Sequence, residues 1–180
     1  MAYFATIDEN NIVIQVEVVA DADTSDENGN IVESVGQDFL HSVHSGVANN
    51  YKLTSPLPSS PDLFRKNPAG IGMIYNPINN FFCHSAPTIP NIGGVGSWTL
   101  DTDDALWKSP FGIEEPSVDR YDFGTGHVAE PLGISLIWDE NAYQADNTKG
   151  FLAKCLSELS NIKLEWNNAT ESWEPNGTWD

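Results

Sequence analysis

Apolar residues in the opening of the chain recur with a period of two. In Ile12-Val-Ile-Gln-Val-Glu-Val-Val19, Ile12, Ile14, Val16 and Val18 fall on one face while Gln15 and Glu17 fall on the other, the signature of a half-buried strand. Tyr3-Phe-Ala-Thr-Ile7 precedes it across the polar Asp8-Glu-Asn-Asn11, so the two runs predict a β-hairpin. Residues 20–30 form a polar, acidic loop. After it, Val32, Val35, Phe39, Leu40 and Val43 recur at helical spacing and predict a short amphipathic helix near 31–44. Gly36 lies inside that helix and weakens it by about 1 kcal/mol relative to alanine. Residues 45–70, rich in Pro, Gly, Asn and Ser, read as a long connection that crosses the surface or pairs loosely at sheet edges.

A pattern repeats from residue 71 onward. Its copies are Ile74-Tyr-Asn-Pro-Ile-Asn-Asn-Phe-Phe82, Thr99-Leu-Asp-Thr-Asp-Asp-Ala-Leu-Trp107 and Glu165-Trp-Asn-Asn-Ala-Thr-Glu-Ser-Trp173. Each has an apolar residue followed by Asn or Asp (Asn76, Asp101, Asn167). A turn-former stands three positions later (Asn79, Asp104, Thr170), and an aromatic six positions later (Phe82, Trp107, Trp173). Asn or Asp opening a four-residue turn accepts a backbone N–H two residues on and so fixes the reversal. The flanking strands then bring aromatic residues opposite one another, at roughly 0.2–1 kcal/mol per pair. Ile137-Trp-Asp-Glu-Asn-Ala-Tyr143 is a shorter version, and with the N-terminal pair the chain predicts five hairpin units. A lone hairpin is marginal in water, so these units must pack on one another or on a partner.

Between the last two copies, Phe151, Leu152, Cys155, Leu156 and Leu159 make one apolar stripe behind Asn147 or Thr148 as N-cap, predicting a second helix over 148–160. Residues 108–131 are rich in Pro and Gly and read as a projecting arm. The expected fold is mainly β: a succession of antiparallel hairpins with one or two short helices packed on them. Along the chain the expected divisions are a hairpin and helix region at 1–110, an inserted arm, hairpin and helix at 111–161, and a C-terminal hairpin at 162–180. Together these are expected to make one compact unit with extended arms.

Charge narrows the function. Acidic side chains number 26 against 8 basic ones, a formal charge of −18. Such a polyanion repels phosphate backbones and anionic membrane surfaces, which argues against nucleic-acid and membrane partners. No apolar run approaches the roughly 18 residues of a membrane helix. The N-terminus has no basic stretch ahead of an apolar one, so no secretory signal is expected. Cys83 and Cys155 lie far apart without metal-ligand spacing and read as two free thiols.

The candidate chemistry mostly fails on spacing. An EF-hand loop begun at Asp21 would need Gly at its sixth position and Glu at its twelfth, where Asp26 and Val32 stand. Asp21, Asp23 and Asp26 therefore read as a solvated acidic loop, and Asp101, Asp103 and Asp104 as turn-formers. His41 and His44 are half a metal site at best and read as surface histidines. Cys83 and His84 point to opposite faces of a strand and make no nucleophile–base pair. No GxSxG, GxxxxGK[ST], GxGxxG or HExxH motif occurs, and Gly93-Gly-Val-Gly96 reads as a bend. The chain is expected to be no enzyme and to use no cofactor or metal. A hydrolase built on a carboxylate pair ranks last.

The six tryptophans all lie in the second half of the chain. Trp107, Trp138 and Trp166 are expected in hairpin cores. Trp173 and Trp179, near the C-terminus, are candidate partner contacts, together with Phe111, Tyr121 and Phe123 of the arm. An alternative is a carbohydrate- or receptor-binding module that stacks sugar rings on an exposed Trp/Asn β surface.

The chain resembles a group of small virion proteins of marine tailed bacteriophages, including cyanophages. The matching pieces are Tyr3-Phe-Ala-Thr-Ile7, Asp26-Glu-Asn-Gly-Asn30, Asn67-Pro-Ala-Gly-Ile-Gly72, Ile74-Tyr-Asn-Pro77, Ser97-Trp-Thr-Leu-Asp101 and Trp166-Asn with Trp173. Their order covers most of residues 3–110 and again 162–175. The aromatic-proline segment usual before Ser-Trp is diluted here to Thr88-Ile-Pro-Asn-Ile-Gly-Gly-Val-Gly96, and residues 111–161 look like an insertion. The resemblance implies a non-catalytic structural component of the particle, on the capsid surface or the tail. Such a component is made in the host cytoplasm, and its partners are other virion proteins, present in multiple copies.

Overall fold

The computed structural model describes residues 1–44, 50–56, 65–87, 96–113, 116, 134–155 and 162–179. Among them are eleven strands in antiparallel sheets and two α-helices, so the fold is mainly β with minor helices, as the spacing predicts. The chain forms two compact units, residues 1–85 with 101–106, and residues 86–100 with 107–180. Among the described residues the first unit holds two apolar clusters and the second holds one.

In the first unit, β1 (Ala2–Ile7) and β2 (Val13–Val19) make the predicted hairpin. β3 (Asn50–Thr54) pairs along the other side of β1, giving the order β2-β1-β3. β3 comes from the stretch expected to cross the surface or pair loosely at sheet edges, and it forms an edge strand. Central β1 is buried on both faces, Phe4, Ala5, Thr6 and Ile7 all lying inside, with the Thr6 hydroxyl donating to Glu17 Oε1. On one face Phe4 packs with Ala2, Val19, Leu53, Tyr51 and Leu40 of α1 (Glu33–Val43). On the other, Ala5, Ile7 and Val13 meet Met73, Tyr75 and Phe82 from the hairpin β4 (Ile74–Asn76) and β5 (Phe81–Cys83).

Gly36 has a packing reason. A Cβ there would lie 2.2 Å from Cζ of Phe4, so only glycine lets α1 lie flat on the ring. Arg65, 7% exposed, ties this unit together. Its Nη2 meets Glu33 Oε1 at 3.0 Å, Nε donates to Asn80 Oδ1 at 2.9 Å, and Nη1 donates to the Leu53 carbonyl. The guanidinium also lies over the Tyr75 and Phe82 rings. A buried cation is tolerable when it is paired and hydrogen-bonded in this way.

The face expected to be buried on β2 is a correction. Val16 of that face packs against the Met73 cluster, but Val13 and Val19 are the buried residues, whereas Ile12, Ile14 and Val18 are 37%, 49% and 52% exposed. A bulge sits where Thr6 pairs Gln15 but Ile7 pairs Val13. The extra residue reverses the pleat, so Val13 turns to the Met73 side and Val19 to the Leu40 side.

The hairpin β6 (Thr99–Asp101) and β7 (Leu106–Lys108) follows. The second unit holds a four-stranded sheet of β8 (Ile134–Trp138), β9 (Phe151–Cys155), β10 (Ile162–Asn167) and β11 (Ser172–Thr178), in the order β11-β10-β9-β8. The expected boundary at 161/162 therefore falls between paired strands of one sheet. The helix expected over 148–160 is a strand in its first half. Phe151, Leu152 and Ala153 are all buried on a central strand, and a short continuous apolar run fits either element. Residues 156–160 lie outside the described residues.

The shortened hairpin at 137–143 is also a correction. Asp139 there caps α2 (Glu140–Ala145), its carboxylate accepting the N–H groups of Asn141 and Ala142. α2 forms the connection between β8 and β9.

Candidate interaction surface

The repeat extends to backbone geometry. In each copy the loop holds four residues, and the last has positive φ: Asn80 at 54°, Ala105 at 61° and Glu171 at 51°. The opening residue accepts the expected N–H: Asn76 Oδ1 from Ile78 and Asn79, Asp101 Oδ1 from Asp103, Asn167 Oδ1 from Ala169. Aromatic rings then pair across the strands, Tyr75 with Phe82 and Trp166 with Trp173, at centroid distances of 5.4 and 5.5 Å. In the first hairpin Asp8 accepts from Asn10 and Ile12, and Asn11 takes φ 63°.

Most candidate contact aromatics in the described residues turn inward. Trp173 is 8% exposed and joins Trp138, Phe151, Ala153 and Leu164 in the core of the second unit. Half-buried Phe111 closes that core, its ring 5.6 Å from Trp138, 5.9 Å from Tyr143 and 6.1 Å from Phe151. Tyr121 and Phe123 lie outside the described residues. Trp138 and Trp166 fall in or against the core as expected. Among the described residues the exposed large apolar side chains are aliphatic or Met, so the sugar-stacking row has no fully exposed ring there.

The candidate chemistry resolves into structural roles. Glu140, 6% exposed, accepts from the Ser97 N–H and hydroxyl, Trp138 Nε1 and Gln144 Nε2. Burial alone would raise its carboxyl, but these hydrogen bonds outweigh it and hold the group at about 2. A Cβ on Gly96, at φ 55°, would meet this carboxylate at 2.4 Å, so glycine lets the 96–98 segment close on it. Glu140 is thus a fully engaged anion. Asp26 accepts the N–H groups of Asn28 and Asn30, closing Asp26-Glu-Asn-Gly-Asn30 into a tight loop, and the Asn30 contact holds its carboxyl below the usual range. His41 and His44 flank the Tyr51 ring, with His44 Nε2 3.2 Å from Glu17 Oε2. Cys83 is free and buried, and burial pushes its thiol up. Among the described residues no cluster of three or more His, Cys, Asp or Glu is placed to hold a metal ion. No helix among them is long and apolar enough to cross a membrane.

Two surface features escaped the sequence. The first is β2 itself, at the end of its sheet, presenting Ile14 and Val18 to solvent. The alternation was visible, but only the bulge decides which face it occupies. The second lies in the other unit. Lys154 and Lys163 stand directly opposite on β9 and β10, with their ammonium groups 5.3 and 5.4 Å from the centre of the Trp179 ring. Two residues along β10, Glu165 and neighbouring Glu174 hold Lys149 at 3.6 and 2.8 Å. Nothing in the spacing of 154 and 163 announces that they are neighbours. Compared with known protein families, characterised proteins and solved structures, the chain matches none.

Proposed function

We propose that this chain is a non-catalytic structural protein of a tailed-bacteriophage particle, attached to the capsid surface or the tail through contacts with neighbouring virion proteins. The observation that carries an assembly role is the β2 edge. It ends a sheet; Val13 still exchanges backbone hydrogen bonds with Gly72 and Met73, and past Val13 its ladder partner among the described residues is β1 alone. Its outward apolar side chains Ile14 and Val18 sit there although the chain is otherwise strongly acidic. A single extended strand with apolar residues adds to such an edge, taking main-chain hydrogen bonds for affinity and the alternate side chains for fit. The occupant is an extended segment of a neighbouring particle subunit. The phage setting itself comes from the resemblance in Tyr3–Ile7, Asp26–Asn30, Asn67–Pro77, Ser97–Asp101 and Trp166–Trp173.

Mass spectrometry of purified particles, with heads and tails separated, tests the reading. The protein is expected in particles, on heads in many copies or with tails in few; absence from both overturns it. A double Ile14→Lys and Val18→Lys variant is expected to leave the isolated protein's unfolding free energy in urea within about 0.5 kcal/mol of the original, since both side chains are exposed. The same variant should lose most of its incorporation into particles. Undiminished incorporation overturns the role of this edge.

A further inference from the structure

We propose that the Lys154–Lys163 pair on Trp179 is a receptor for a carboxylate-bearing segment of a partner protein. Like charges placed directly opposite on neighbouring strands destabilise a sheet, and here they occur in a chain with only 8 basic residues against 26 acidic ones. Lys52 likewise lies over a ring, that of Tyr75, but as a single cation; three other described basic side chains have polar partners at hand. Arg65 has Glu33, Lys149 has Glu165 and Glu174, and Lys66 donates to the Thr102 and Asp103 carbonyls. Neither Lys154 nor Lys163 takes part in an ion pair with a described carboxylate. The Trp179 ring, drawing both ammonium groups to within 5.4 Å of its centre, offsets part of their repulsion and holds them close.

The arrangement fits an anion. Lys154 and Lys163 are half-buried residues paired on adjacent strands, with both ammonium groups near one ring, so a single carboxylate entering between them would accept from both, and the ring displaces water beside it, strengthening the attraction. The acidic remainder of the chain repels diffuse polyanions, so the pair selects a short acidic segment presented locally. The choice of a protein as the source rests on the proposed assembly role; the affinity for carboxylate does not. This surface lies within residues 107–180 and shares no residue with the β2 edge.

Titration of the full chain with a short polyglutamate peptide tests it, followed by the Trp179 indole N–H resonance, which a Trp179→Phe variant assigns. At about 10 mM salt, where charges are still felt over roughly 30 Å, saturable binding with a shift of that resonance is expected. Lys154→Gln with Lys163→Gln should weaken it roughly tenfold or more. Lys154→Arg with Lys163→Arg should retain it, which separates lost charge from lost fold. No saturable binding, or equal binding by the glutamine variant, overturns the site while leaving the β2 reading untouched. Tighter binding of a polyuronate oligosaccharide than of the peptide overturns the protein occupant.

Discussion

Glu140 is ionised inside the second unit because its neighbours were placed to donate to it. Four hydrogen bonds from Ser97, Trp138 and Gln144 hold its carboxyl at about 2 against an ordinary 4.5. A depressed folded value means that the stabilisation is fully present above the unfolded value and drains away as the pH falls from about 4.5 toward 2. Glu140→Gln is therefore expected to cost about 1–3 kcal/mol near neutral pH, by weakening acceptors for buried donors. It should also flatten the fall in urea midpoint below pH 4.5. An identical acid dependence in variant and original would show that this carboxylate carries none of the effect. The sequence shows Glu140 as one acid among 26. Its role depends on Ser97 arriving from 43 residues away.

At the scale of elements, the four-residue turns were the most legible feature, because their chemistry is local. An Asn or Asp carboxamide or carboxylate meeting an N–H two residues on needs nothing from the rest of the fold. The fourth loop residue is what the turn exacts in return, since it must be left-handed whatever side chain it carries. Asn80 suits that conformation, but Glu171 does not, and a left-handed non-glycine residue costs about 1–2 kcal/mol. Glu171 is exposed, so Glu171→Gly is expected to raise stability by about 0.5–1 kcal/mol after the entropy that glycine adds to the unfolded chain. A thermal midpoint that falls instead would mean Glu171 has contacts worth more than its strain. The stripe at 151–159 was less legible for the opposite reason. Its alternatives, buried strand and buried helix, differ only in what lies on both sides of it.

Across the whole molecule, the two units carry separate cores, and Trp173 belongs to one of them. Its truncation tests whether that ring serves the fold or a partner. Trp173→Ala should cost about 3–5 kcal/mol, as for a large buried aromatic. Amide exchange should quicken in 134–155 and 162–179 while the β1–β3 ladder keeps its protection. Protection lost equally in both units would show that they unfold as one. Unchanged stability with lost particle association would return Trp173 to the surface.

By itself the sequence determined what is local: the period-two strand before residue 19, the helix at Glu33–Val43, the Asx-anchored turns at Asn76, Asp101 and Asn167, and the absence of spaced catalytic motifs. Their causes act within a few residues, so they can be read from a few residues. Tertiary structure alone decided which face of β2 met water, because one bulged residue reverses the pleat. It decided that Gly36 is needed under Phe4, and that residues 151–155 extend as the middle of a sheet. It also set Lys154 beside Lys163, since strand register is fixed by pairing and burial across the fold.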